Sequence, residues 1–510
     1  MISDPDKRKR TVFIVDDHPL VREWLANLIN QRQDLVVCGE SEGGPQAFAA
    51  IGACKPDAAI PADTGAPACC QPVAIIDRNE FMNKKMQNHR LTPAPETVKR
   101  CLLVVASALA LASSIPRAAA ENWPAWRGPR GDGTSLETNA PTQWSATQNI
   151  VWKTAVPGIG HSSPVVWNDR IFTVSAFAER QERALLCFDR RSGQLLWRQT
   201  VLTAPLESKS DDNTFASCTP ATDGERVYVA FLDARQIAVA ALDFNGKPLW
   251  LVRPGEFQND HGFASSPVLY DDMVLLSAQG KQGNFLVALS RVDGHTLWKK
   301  ALDHPSNSFG QPLARLLAGR PQIILCGDKT VSSFDPKSGE RLWFVESPST
   351  DFVLTPVFSE QAGLLLASSS WPGKELQAIK PDGQGDVTKT KIVWKSIAGA
   401  PYVPSPIAID RYFLTVSDSG NEIYCFEAAT GRVLWHQPFG HTVASPVSVA
   451  GLVHFLNDKG LTHVIKPGEK YELVASNNLG EKCYASPAIS GGQIFLRTAA
   501  TLYCIGAPAK

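Results

Sequence analysis

Several chemical signatures are missing from this 510-residue chain, and each absence narrows what it can do. It has 11 cysteines but no Cys-x-x-Cys pair and no cysteine–histidine spacing of the zinc kind, so no metal site is expected. Gly-x-Ser-x-Gly is absent from residues 121–510, which removes the nucleophile elbow of the α/β-hydrolases from that region. There is no excess of charge: 50 Lys and Arg face 50 Asp and Glu, so nothing global points to nucleic acid or an anionic membrane surface. The apolar run at 101–115 is too short and too rich in small residues for a comfortable transmembrane helix, so no transmembrane anchor is expected.

What is present is a tandem repeat. A polar residue, a proline and an apolar strand recur at Ser163-Pro164, Thr219-Pro220, Ser266-Pro267, Gln311-Pro312, Thr355-Pro356, Ser405-Pro406, Ser445-Pro446 and Ser486-Pro487. The spacing of roughly 40–55 residues is that of propellers or solenoids. Most units close on a glycine turn and a short strand ending in tryptophan. These tryptophans are Trp197, Trp250, Trp298, Trp343 and Trp435, with Trp394 after a stretched turn, while the seventh unit lacks one. Proline suits the first residue of a strand, where no ladder donor is lost. A lone four-stranded antiparallel blade cannot bury both faces, whereas radial stacking can. The reading is an all-β, eight-bladed propeller over 149–507, its tryptophans packed between blades with each indole N–H on a backbone acceptor. The last unit runs out of chain before its outer strand. Asn149-Ile150-Val151-Trp152-Lys153 has the sequence of one, so it is expected beside 502–505, closing the ring with Trp152.

Cys187, Cys425 and Cys504 fall at equivalent third-strand positions of three blades. Equivalent positions lie too far apart for disulfides, which favours small core residues.

These motifs resemble the PQQ-like propeller repeat, whose family includes the outer-membrane assembly factor BamB and the quinoprotein alcohol dehydrogenases. The resemblance covers roughly residues 122–507; it is strong for fold and weak for function.

Residues 11–60 read differently. Val12-Phe13-Ile14-Val15-Asp16-Asp17 is a buried strand ending in two carboxylates, followed by His18-Pro19-Leu20-Val21-Arg22-Glu23 at the head of a helix. This resembles a response-regulator receiver domain, in which Asp16 and Asp17 would be the Mg²⁺-holding pair. The pattern stops after Ile60: a proline interrupts the third strand, Asp63 is out of register as phospho-acceptor, and no later strands follow. A small α/β receiver-like fragment with a vestigial acidic pair is therefore expected. A disordered junction is expected over 61–98.

A signal-peptide-like segment is expected over 99–120. Lys99-Arg100, the apolar run and Ala118-Ala119-Ala120 before Glu121 form a basic end, a short apolar core and an A-x-A site. Such a segment belongs at an N-terminus, which translation from Met82 or Met86 would provide, making the product periplasmic or secreted. Residues 121–148, with Trp123 and Trp126, read as a lead-in tether packing on the propeller surface.

The loops entering the Ser/Thr-Pro strands and those joining second to third strands should share one face, the usual binding face of a propeller. It would gather His161, Asp260, His261, Tyr402 and His441, with Lys281, Trp371 and Lys374. No catalytic residues are assigned. The expected function is that of a monomeric, cofactor-free, non-catalytic scaffold of the cell envelope, binding a protein or envelope component on this face. The alternative is a PQQ-dependent quinoprotein dehydrogenase, which needs an aromatic platform, cations for the quinone carboxylates and a divalent ion.

Overall fold

The computed structural model describes residues 10–15, 22, 26, 29, 35–41, 58–60, 76–77, 121–417 and 420–506. The chain divides into two compact units, Met1–Ile115 and Pro116–Lys510. In the first, the strand Arg10–Val15 pairs in parallel with Leu35–Ser41 and with Ala58–Ile60, around buried Val12, Phe13 and Ile14. Within the expected junction, the described residues Ile76–Asp77 pair antiparallel with Ala58 and Ala59, extending the sheet by a strand. The rest of 61–98, the 99–120 segment, Asp16, Asp17 and Asp63 lie outside the described residues.

The second unit is an all-β, eight-bladed propeller of four-stranded antiparallel blades. The middle strands of each blade are sandwiched between neighbouring blades, so they are buried on both faces. In blade three, Met273–Ala278 and Phe285–Ser290 are buried at every position, while the outer strand Thr296–Ala301 alternates with solvent. The ring closes as its sequence demands: Ile150–Ala155 pairs antiparallel with Thr501–Ile505, setting Trp152 opposite Cys504. Closure removes an edge that would otherwise template aggregation.

The Gly-turn and Trp signatures prove to be partners across blades. Trp152 donates its indole N–H to Arg190 O, Trp197 to Phe244 O, Trp250 to Arg291 O, Trp298 to Pro336 O, Trp394 to Ala428 O and Trp435 to Gly468 O. Each acceptor lies in the turn of the following blade. In five of the six the turn glycine meets the same indole, Gly468 of blade seven being the exception: a Cβ on Gly193 would stand 2.4 Å from Trp152, and one on Gly339 2.5 Å from Trp298. The glycine is there to let a large ring lie flat on the turn. Trp343 departs from the pattern. The next blade's turn is the stretched one, and Trp343 bonds instead to Gln322 Oε1 in its own blade. The inserted residues turn back to pair with blade four, Gly385–Asp386 lying parallel to Trp343 and Phe344.

In blade seven Ala475 stands opposite Val464, where a tryptophan would be. Trp144 of the lead-in joins the cluster containing both residues and stacks on His454 at 6.0 Å. Asn477 fixes that segment, accepting from Trp144 N and donating to Thr142 O.

The lead-in is thus more than a surface tether. Trp123 exchanges two backbone bonds with Val166 of blade one and is 1% exposed, and Ser135 donates to Ser448 O in blade seven. Between these anchors the chain crosses the propeller axis. Trp126 Nε1 donates to Ser486 Oγ, and the buried Arg127 guanidinium donates to Pro406 O, Pro446 O and Asp132 O. Burial pulls Arg127 down to about 10, so it stays charged at neutral pH. Asp132, in the short Gly-Asp-Gly run, caps Thr134.

Around the axis the Ser/Thr-Pro residues form a belt. The N–H of Ser163 donates to Thr219 Oγ1, Thr219 to Ser266 Oγ, Gln311 to Thr355 Oγ1, Thr355 to Ser405 Oγ, Ser405 to Ser445 Oγ, Ser445 to Ser486 Oγ and Ser486 to Ser163 Oγ. The link from Ser266 is missing because Gln311 has no hydroxyl to offer.

Candidate functional site

Antiparallel blades put the loops that enter each inner strand and the loops between second and third strands at one end, so the mouth is assembled as the repeat predicts. The eight residues assigned to it are not drawn to one point; they form separate small groups. The Lys281 ammonium pairs with Asp260, and both are more than half exposed. His261 N donates to Asn259 Oδ1, His261 O accepts from Asn213 Nδ2, and its ring stands edge-on to Phe309 at 6.2 Å. Lys374 Nζ lies 5.3 Å from the Tyr402 ring centroid. Trp371 is held through its backbone, its carbonyl accepting from Asp351 N, while the side chain is 60% exposed. His441 Nδ1 lies 2.5 Å from Asp458 Oδ2. His161 packs on Tyr484 at 4.4 Å. Burial, then the nearby positive charges of Arg497 and Lys209, push His161 down to about 4, so it is neutral at physiological pH.

Sequence reasoning missed Arg497, the most unusual group near this face. It is 1% exposed and lies in blade eight, yet its guanidinium reaches into blade one. It donates to Thr173 Oγ1 (2.7 Å), Val174 O (2.6 Å) and Ser175 Oγ (2.9 Å), and has no carboxylate partner among the described residues. It rivets the two blades where the ring closes. Burial pulls it down to about 9, still protonated at neutral pH. A lone arginine in a strand pattern carries no signal of this; only ring closure brings blade one to it.

Cys187, Cys425 and Cys504 are free, buried core residues, their thiols pushed up to about 12 chiefly by burial. At the end opposite the mouth, a cavity of about 480 Å³ lies between the lead-in and the inner strands of blades two to four, lined by Trp126, Trp167, Leu269, Arg291, Gln311 and Arg315 among others. Gln311, where the hydroxyl belt is interrupted, is part of its wall.

A family model described as "Outer membrane protein assembly factor BamB" matches residues 181–370 and 385–505. The chain belongs to this family. The break in the match, 371–384, spans the third strand of blade five, Glu375–Ile379, with the loop before it and the start of the stretched turn after it. Among solved structures, BamB from Moraxella catarrhalis is similar at 15% identity, covering 70% of this chain and 99% of that one, with a TM-score of 0.50. A europium-containing methanol dehydrogenase is similar at 11% identity over 76% of this chain and 98% of that one, TM-score 0.48. The quinohemoprotein alcohol dehydrogenase from Comamonas testosteroni is similar at 12% identity over 76% of this chain and 81% of that one, TM-score 0.45. Likeness at such identities is one of fold. A search of curated proteins finds no sequence match. None of these comparisons supports a receiver identity for residues 11–60.

The alternative reading of the sequence, a quinoprotein dehydrogenase, requires a donor set that can hold a quinone and its divalent ion. It does not fit. Such an ion wants several oxygen ligands, carboxylates among them. Among the described residues no group of three or more His, Cys, Asp or Glu side chains could hold a metal. Asp260 is neutralised by Lys281. Nearer the axis the strand starts are neutral hydroxyls, already accepting backbone hydrogens within the belt.

Proposed function

We propose that the chain is an exported, non-catalytic scaffold of the cell envelope that acts in outer-membrane protein assembly and holds a protein or envelope partner on its mouth face. The observation carrying this is membership of the BamB family across 181–370 and 385–505. The chemistry of the mouth agrees. Catalysis needs a nucleophile, a base and an electrophile-stabilising group converging on one point. Here the polar residues are paired off in separate groups, and among the described residues no serine hydroxyl bonds to His161 or His441. A docking face needs exposed anchors with a polar surround. Trp371 (60% exposed) and Ile159 (63% exposed) supply anchors, and the ion-paired loops supply the surround. The segment from Lys99-Arg100 to Ala118-Ala119-Ala120 supports a periplasmic or secreted location when translation starts near Met82 or Met86.

The test is site-specific photo-crosslinking in an outer-membrane-bearing host. One probe replaces Trp371. The control replaces Lys337, which lies in a turn at the opposite end of its blade. The expected result is an adduct with an outer-membrane assembly component from position 371 alone, and reduced outer-membrane protein levels when the gene is deleted. Equal adducts from both positions, or retention of the chain in the cytoplasm, would overturn the reading.

A further inference from the structure

We infer that the mature polypeptide begins at Glu121 and that its α-ammonium docks on the Glu137 carboxylate as an ion-pair partner. The inference rests on the export reading above and goes beyond it by assigning the processed bond and a structural role for the new terminus.

The geometry is local and specific. The backbone nitrogen of Glu121 lies 2.9 Å from Glu137 Oε1. The same carboxylate accepts the N–H groups of Gly491 and Gly492 at 2.5 Å each, in the hairpin turn of blade eight. Among the described residues no lysine or arginine forms a salt bridge to Glu137. Arg190 is close enough to feel its charge, but donates to Asn168 O and Ser490 O. Three backbone donors therefore serve a carboxylate that lacks a cation. Residue 121 is held at its other end as well. Its carboxylate accepts from both Arg130 terminal nitrogens, from Ser135 Oγ and from Leu136 N.

The sequence supplies the missing charge. Ala118-Ala119-Ala120 immediately precedes Glu121 and has the small-residue pattern of signal-peptide cleavage. Hydrolysis of the Ala120–Glu121 amide breaks the C–N bond. Water gives its hydroxyl to the Ala120 acyl carbon and a proton to the leaving nitrogen; the new carboxyl then ionises and the amine takes up a second proton. A neutral N–H becomes an ammonium at the same place, and a plain hydrogen bond becomes a charge-assisted one. The groups facing it are Glu137, the Glu121 carboxylate already neutralised by Arg130, and Arg190 behind Glu137.

This has a pH signature. An α-amine beside a carboxylate titrates above its unfolded value of about 7.7–8.0. Its stabilisation is complete below that value and fades as pH rises through the higher folded one.

The experiment expresses the chain with translation started at Met82 in a Gram-negative host and measures the intact mass of the periplasmic product, expected to begin Glu121-Asn122-Trp123. Glu137→Gln keeps an oxygen acceptor and removes the charge. In the processed protein it should lower Tm by about 1–2 °C at pH 6.5 and by less at pH 10, whereas in unprocessed chain the decrement is the same at both. Should Glu137→Gln fail to fold, labelling the α-amine of the wild-type product with acetic anhydride decides: native protein should react about tenfold more slowly than urea-unfolded protein, as a one-unit rise in amine pKa implies. A mature start elsewhere, or a start at Glu121 with a pH-independent decrement and a freely labelled amine, overturns this inference and leaves the export reading standing. Cytoplasmic retention overturns both.

Discussion

Thr219→Val tests what the axial hydroxyl belt contributes. The substitution is close to isosteric, so it opens no sizeable cavity. It removes Oγ1, the acceptor for Ser163 N at 3.0 Å, while leaving the bond from Thr219 N to Ser266 Oγ in place. Both residues are 3% exposed, so water cannot take over the orphaned donor. A buried N–H left without a partner costs about 1–3 kcal/mol. Specific unfolding entropies make that a fall of about 1–4 °C in Tm for a domain this size. The reverse change is available at Gln311, where Gln311→Thr offers the acceptor that Ser266 N lacks and should return about 0.5–1.5 kcal/mol. Thermal melts followed by tryptophan fluorescence and far-ultraviolet circular dichroism read both. A Thr219→Val protein melting with the wild type would refute the reasoning, because it would mean that Ser163 N finds an equivalent partner elsewhere.

Gly339→Ala should cost about 2–4 kcal/mol, since the new Cβ meets Trp298 at 2.5 Å from a backbone at φ +71°. Gly319→Ala, at φ +77° with nothing within 4 Å, should lose only the backbone share of about 1–2 kcal/mol; equal losses in urea titrations would contradict the turn–indole account. His454 is 2% exposed, and burial depresses it to about 4, so the unfolded chain takes up its proton first on acidification. Stability should therefore fall by about 3 kcal/mol between pH 6.5 and 4 on this residue's account. His454→Phe, which can keep the stack on Trp144, should flatten that part of the pH–stability profile, and an unchanged acid limb would count against the assignment.

Much of the propeller is legible in the chain alone because its repeating units answer to local rules. Pro164 and its counterparts mark strand starts, and the runs from Leu185 and Leu275 are apolar without alternation because they are covered on both faces. A tryptophan at Trp152, ahead of the first full unit, already identifies the missing outer strand of the last. Family likeness in the BamB repeat follows from the same pattern. The mouth is legible only as a face: the sequence places His161, His261, Trp371 and His441 at one end, and cannot say that they stay apart.

The rest belongs to contacts between residues far apart in the chain. The sequence displays glycine and tryptophan in one unit, and the fold shows that Trp152, Trp197, Trp250, Trp298 and Trp394 each serve the next unit's glycine. It displays Ser-Pro and Thr-Pro as strand openings, and only the closed ring turns them into acceptors for one another. Trp144 replaces a tryptophan missing more than three hundred residues later, Trp126 and Arg127 reach the axis, and Arg497 crosses from blade eight to blade one. The physical reason is common to all four. A strand's periodicity records whether a position is buried, whereas the identity of what buries it, and of the acceptor that satisfies its polar atoms, is set when the ring closes.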